Sequence, residues 1–212
     1  MERQITYEDY LWTENAGTAG EFQAFCLSLV ENANVDDVLA QLPVIEDLGS
    51  MNFREELRFR SYDDWDPERS LVGLFQHDSW TVLFEVNGFA GVTPQIALPL
   101  SNGRRIVSHY YSDGNGSGTF KIYEDGRLAA SFEPTLGIVD LWTDEPNMST
   151  TLSTLMRKSG FDQAPNDHLL DGRKHNRAAT FALMERLTGV QLQPTAIADA
   201  TFTFVRVQLP RP

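Results

Sequence analysis

SWTVLFEVNG (Ser79–Gly88), RRIVSHYYS (Arg104–Ser112), TFKIY (Thr119–Tyr123) and RLAASFEP (Arg127–Pro134) follow one another along the middle of the chain, separated by turn residues. In the first, Val82, Phe84 and Val86 fall on one face of an extended strand and Leu83, Glu85 and Asn87 on the other. The Asp125-Gly126 step between the last two segments is a hairpin signal, because a type I′ turn needs positive φ at both central residues and these two tolerate it. Residues 71–133 therefore predict an antiparallel β-meander.

Working outward, FCLSLVEN (Phe25–Asn32) is an apolar run of strand length. DDVLAQL after it places Val38, Leu39 and Leu42 at helical spacing behind acidic residues that suit a helix N-terminus. Pro43 to Arg69 mixes Gly, Asn, Pro and charge and predicts a loop-rich insertion, most polar at DDWDPER (Asp63–Arg69). Beyond Pro134, helices are predicted over about 149–159 and 176–188. In the second, Ala179, Ala182, Leu183 and Leu187 form an apolar stripe and Gly189 is a natural stop. PTAIADA predicts a short helical turn, and TFTFVRVQL (Thr201–Leu209) alternates like a final strand. The expected architecture is α+β, an antiparallel meander sheet packed by a few helices, in a single domain spanning residues 1–212.

Composition narrows the function. Thirty acidic against 17 basic side chains give a formal charge of −13 over 212 residues. Such a chain lacks the cationic surface that neutralises nucleic-acid phosphates or anionic lipid headgroups, whereas a basic protein partner suits it. No apolar run approaches the length of a membrane helix, MERQITYEDY carries no hydrophobic signal region, and the single Cys26 fits a reducing compartment. The expectation is a cytoplasmic protein that binds neither nucleic acid nor membrane.

CLSLVENANVDDVLAQL, SWTVLFEVNGFAG, DGRLAASFEP and MERLTGVQLQP, in that order, resemble an actinobacterial family described as a domain of unknown function (number 6461). The resemblance spans most of residues 24–205 and implies a fold and a cytoplasmic setting. It brings no catalytic residues with it.

Four groups of residues are candidates for chemistry. Asp113, Asn115, Ser117 and Glu124 have the spacing of a calcium loop with Gly118 at the turn, but strand-like flanks and Lys121 favour a plain hairpin. His168, Asp171 and His175 would share one face of a helix, which Gly172 argues against. Cys26, inside FCLSLV, reads as a small buried residue rather than a nucleophile. No metal or cofactor is expected, and no nucleophile elbow is present. The fourth group is the sharpest. Glu85, Asn87 and Phe89 on an otherwise apolar strand, with Glu133 closing the neighbouring meander, could line a binding site; alternatively the polar face is solvated or paired with Arg104, Arg105 or Arg127. Asp63, Asp64, Asp66 and Glu68 around Trp65 could form a docking patch for a basic partner, or a solvated loop. The function expected is a non-enzymatic interaction module, immunity-type or regulatory; the alternative is a small-molecule or metal-binding domain, or an enzyme with a dispersed site beside the meander.

Overall fold

The computed structural model describes residues 3–14, 23–52, 60, 63, 65–161 and 175–210. Nine antiparallel strands form one open sheet: β1 (Ala24–Glu31), β2 (Val44–Asn52), β3 (Arg69–His77), β4 (Trp80–Val86), β5 (Arg105–Ser112), β6 (Ser117–Glu124), β7 (Arg127–Phe132), β8 (Trp142–Thr143) and β9 (Thr201–Gln208). Their order across the sheet is β2-β9-β3-β4-β1-β5-β6-β7-β8. The helices that lie wholly within the described residues are α1 (Val35–Leu39), α2 (Pro94–Leu100), α3 (Pro146–Ser159), α4 (Asn176–Thr188) and α5 (Pro194–Ala198), with 3-10 turns at Tyr7–Glu14, Ala90–Val92 and Gly137–Asp140. This is the α+β, single-domain architecture that the sequence predicts.

The meander predicted over 71–133 is interrupted: β3 and β4 pair, β5 to β8 follow one another as neighbours, and β1 lies between β4 and β5. Phe25 pairs with Val86 on one side and with Tyr111 on the other. Flanked by strands and covered on both faces, β1 is buried over Phe25–Val30. Its near-continuous apolar run, in place of alternation, is the sequence's response to that position. The Asp125-Gly126 turn has φ of 50° and 76°, as the type I′ signal requires.

Each face of the sheet carries its own core. On one, Phe25, Leu27, Phe84, Phe120, Phe132 and Phe204 pack under α3, α4 and the Tyr7–Glu14 turn. On the other, Val72, Leu74, Leu83, Ile106 and Val205 pack under α1, α2 and the Ala90–Val92 turn. Helix α4 is more deeply embedded than the expected stripe implies: every residue from Ala178 to Glu185 is buried. Its Glu185 carboxylate is satisfied there by the Tyr10 hydroxyl (2.8 Å) and by Arg3 (2.5 and 2.6 Å).

The loop expectation for residues 43–69 is corrected at its start. Val44–Asn52, within the segment read as loop, is the edge strand β2, bonded along its backbone to β9. All nine of its side chains are exposed or half-buried, so no apolar periodicity marks it as a strand. Bulges between Val44 and Glu46 and between Asp47 and Gly49 interrupt its ladder. They blunt an edge that would otherwise template association.

Candidate functional site

The alternation across β4 holds. Leu83 and Glu85 face the second core while Phe84 and Val86 face the first. The polar face at Glu85 is nevertheless neither solvated nor paired with an arginine. After Val86 the chain turns at Asn87, whose φ is 56°, and folds back over β4 as the Ala90–Val92 turn, sealing Glu85 at 1% exposure. The Glu85 carboxylate then accepts hydrogen bonds from the backbone N–H of Ala90 (2.9 Å) and Gly91 (3.0 Å) and from the Ser70 hydroxyl. The Cys26 thiol adds a further bond. Burial pushes the Glu85 carboxyl above its ordinary range, opposed by the donors from Ser70, Gly91, Ala90 and Cys26.

Two glycines make the fold-back possible. A Cβ on Gly88 would collide with Ser70 Oγ and lie 2.5 Å from Glu85 Oε2. One on Gly91 would collide with Ser28 Oγ and lie 3.1 Å from Cys26 Sγ. Ser28 is itself fixed by a 2.8 Å bond to Ser108. On the outer side, Val92 C=O accepts from Lys121 Nζ (3.0 Å) and the Tyr123 hydroxyl (3.1 Å). Glu85 is thus a latch beneath the loop that carries Asn87 and Phe89.

That loop forms one wall of an open cleft of about 520 Å³ at the end of the central strands β4, β1 and β5. Trp65, Asn87 and Phe89, from two separate sequence candidates, line it together with Gln23, Ala24, Tyr110, Ser112, Asp113, Gly114 and Asn115. Strand pairing brings these distant stretches together. Ala24 is opposite Ser112 across β1 and β5, Asn87 N–H donates to Ala24 C=O (2.8 Å), and Asp113 N–H donates to Gln23 C=O (2.7 Å). Trp65 is 55% and Phe89 38% exposed. The lining thus offers three aromatic rings, one carboxylate and several neutral hydrogen-bonding groups, with no Lys, Arg or His among its described residues. Beyond Trp65 and Asn87 lies a narrower groove with Arg60, Arg69 and Arg206. There Arg69 is paired with Asp66 (3.0 Å) and Arg206 with Glu46 (3.0 Å).

The remaining candidates fall elsewhere. Glu133 caps the β5–β6 hairpin, accepting from Gly118 N–H (2.8 and 2.9 Å) and from the Thr135 hydroxyl (3.0 Å), and shares no partner with Glu85. Asp63 is exposed, Asp66 is engaged with Arg69 and the Glu68 N–H, and Asp64 lies outside the described residues. The calcium-like segment is a hairpin: Asp113 starts its turn, while Glu124 ends β6 and pairs with Arg105. His175 Nδ1 is 2.7 Å from Glu14, with its ring stacked on Tyr7; His168 and Asp171 lie outside the described residues. No group of three or more His, Cys, Asp or Glu among the described residues could hold a metal ion. Cys26 is fully buried, and burial together with the neighbouring Glu85 charge holds its thiol well above the usual range. That is the environment of an inert cysteine.

Sequence reasoning missed Tyr110, Ser112 and Gln23 as cleft residues, and Ser70, Cys26 and Gly91 as partners of Glu85. Their association depends on β1 lying between β4 and β5, which no local pattern encodes. His109, which the sequence sets in a strand-like context without an evident partner, is fully buried in β5 against Phe25 and Phe181 with neither ring nitrogen hydrogen-bonded. Burial, aided by Arg177, lowers its pKa to about 3, so the ring is neutral at physiological pH.

The fold and site define an α+β protein with an open antiparallel sheet and a cleft at the end of its central strands. The chain belongs to DUF6461, a family of unknown function whose profile matches residues 3–211. No curated protein and no solved structure matches it. No helix among the described residues is long and apolar enough to cross a membrane.

Proposed function

We propose that this protein is a non-enzymatic interaction module, immunity-type or regulatory, that binds a basic partner protein through the cleft between Trp65, Phe89 and Asp113. The observation that carries this reading is the lining itself: exposed aromatic faces and a carboxylate, with no cationic side chain among its described residues, in a chain of charge −13. Rigid exposed aromatics anchor protein interfaces, and complementary charge speeds encounter and rejects wrong partners. Cation–π contact supplies about 0.5–2 kcal/mol when a Lys or Arg covers such a ring. Glu85 acts from below by fixing the loop, and the carboxylates of Glu85 and Glu133 do not converge as a catalytic pair would.

A small-molecule site is the second reading, and one observation favours it: a volume of about 520 Å³ is within the range of ligand pockets. A pull-down from host lysate at low and moderate salt separates the two. The interaction reading expects a stoichiometric basic protein, captured by the wild type and lost with Trp65→Ala or Asp113→Asn. A capture that survives both substitutions, or no captured protein at either salt, defeats it.

A further inference from the structure

Resting on the cleft as the binding site, we infer that the group it takes is the guanidinium of a partner arginine rather than a lysine ammonium. The chain already makes this arrangement with itself on the opposite face of β5. Arg177 lies with its guanidinium carbon 4.9 Å from the centre of the Tyr111 ring, and its Nη1 is 3.7 Å from the Asp113 carboxylate. Successive strand residues point to opposite faces, so Tyr110 presents its side chain on the other side of the same strand. There it lines the cleft with the same Asp113, whose side chain remains 49% exposed. Asp113, at the end of β5, thus holds an internal guanidinium with its carboxylate and is also one of the residues that line the cleft.

The chemistry of the lining distinguishes the two cations. Arg177 partly compensates the Asp113 charge, so a compact, strongly hydrated ammonium recovers little of what it loses in leaving water. A guanidinium is flat and more weakly hydrated. It stacks on aromatic faces while its five donors stay in plane for acceptors at the edge. Trp65 and Phe89 supply exposed aromatic surface, and Asp113, Asn87 and Asn115, whose side chains carry acceptor oxygens, line the cleft beside them.

Isothermal titration with three capped pentaglycine peptides, substituted at the centre by arginine, lysine or citrulline, tests this. The arginine peptide should bind at least about fivefold tighter than the lysine peptide, with citrulline, flat but uncharged, weaker than both. Trp65→Ala should erase the arginine preference, Asp113→Asn should weaken the arginine and lysine peptides alike, and the remote carboxylate variant Glu145→Gln should change neither. Equal binding of arginine and lysine overturns the guanidinium assignment while leaving a basic partner in place. Citrulline binding as well as arginine overturns it too, because charge is then not read. If no peptide binds although the pull-down captures a partner through Trp65 and Asp113, the cleft does not take a lone cationic side chain and this inference fails alone.

Discussion

Replacing Glu85 by alanine removes the latch beneath the cleft loop and leaves Ala90 N–H, Gly91 N–H and the Ser70 hydroxyl without their acceptor in a buried site. An orphaned buried donor costs about 1–3 kcal/mol, so the two amides alone account for about 2–6 kcal/mol. Removing a desolvated carboxylate returns part of this, because burying the charge was itself unfavourable. The net expectation is a loss of about 2–4 kcal/mol at neutral pH, a large share of the 5–15 kcal/mol typical of a folded domain. Urea unfolding followed by circular dichroism measures it, as a lower midpoint with an unchanged slope. Glu85→Gln keeps one acceptor and should fall between the two. The reasoning is refuted if Glu85→Ala unfolds within about 0.5 kcal/mol of the wild type, the range of an inconsequential surface change.

Glu85 and His109 should also leave opposite signatures in stability against pH. The folded pKa of Glu85 is raised, so the folded chain holds its proton more tightly than the unfolded chain. Relative to Glu85→Gln, wild-type stability should fall as pH rises above 4.5. The folded pKa of His109 is lowered from 6.5 to about 3, so its contribution should be lost as pH falls through that window, with a slope of up to about 1.4 kcal/mol per unit. His109→Phe should flatten that dependence and raise the thermal midpoint at pH 7, since both ring nitrogens lack hydrogen-bond partners. Differential scanning calorimetry across pH 4–8 checks both groups, and a His109→Phe profile parallel to that of the wild type would contradict the second. Gly91→Ala should destabilise by about 1–3 kcal/mol through the clash with Ser28 and weaken partner capture by displacing Phe89; an unchanged urea midpoint would mean that the loop has room to shift.

Much of the fold was legible because its signals are local. Asp125-Gly126 announces a turn that needs positive φ, Gly189 ends α4, and the apolar density of Phe25–Val30 matches a strand buried on both faces. What escaped depends on distant partners. Strand β2 is written in exposed residues and held by backbone bonds to β9. In PQIALPL, Pro94 and Pro99 argue against a helix, yet α2 places Pro94 in its first turn, where no N–H is needed, and Pro99 next to its end. For the site, the alternation of β4 correctly set Glu85 and Asn87 apart from Val86. It could not show that a 3-10 turn covers Glu85 and turns a candidate ligand-binding carboxylate into the support of the loop that carries Phe89.

The cleft is proposed as the surface that meets the partner. Amide chemical shifts of the labelled protein, followed while an arginine-rich peptide is added, test it most directly. The largest changes should fall on Asn87, Phe89, Tyr110 to Asn115 and the Trp65 indole. Changes confined to the exposed carboxylates elsewhere on the surface, with these signals unmoved, would contradict it.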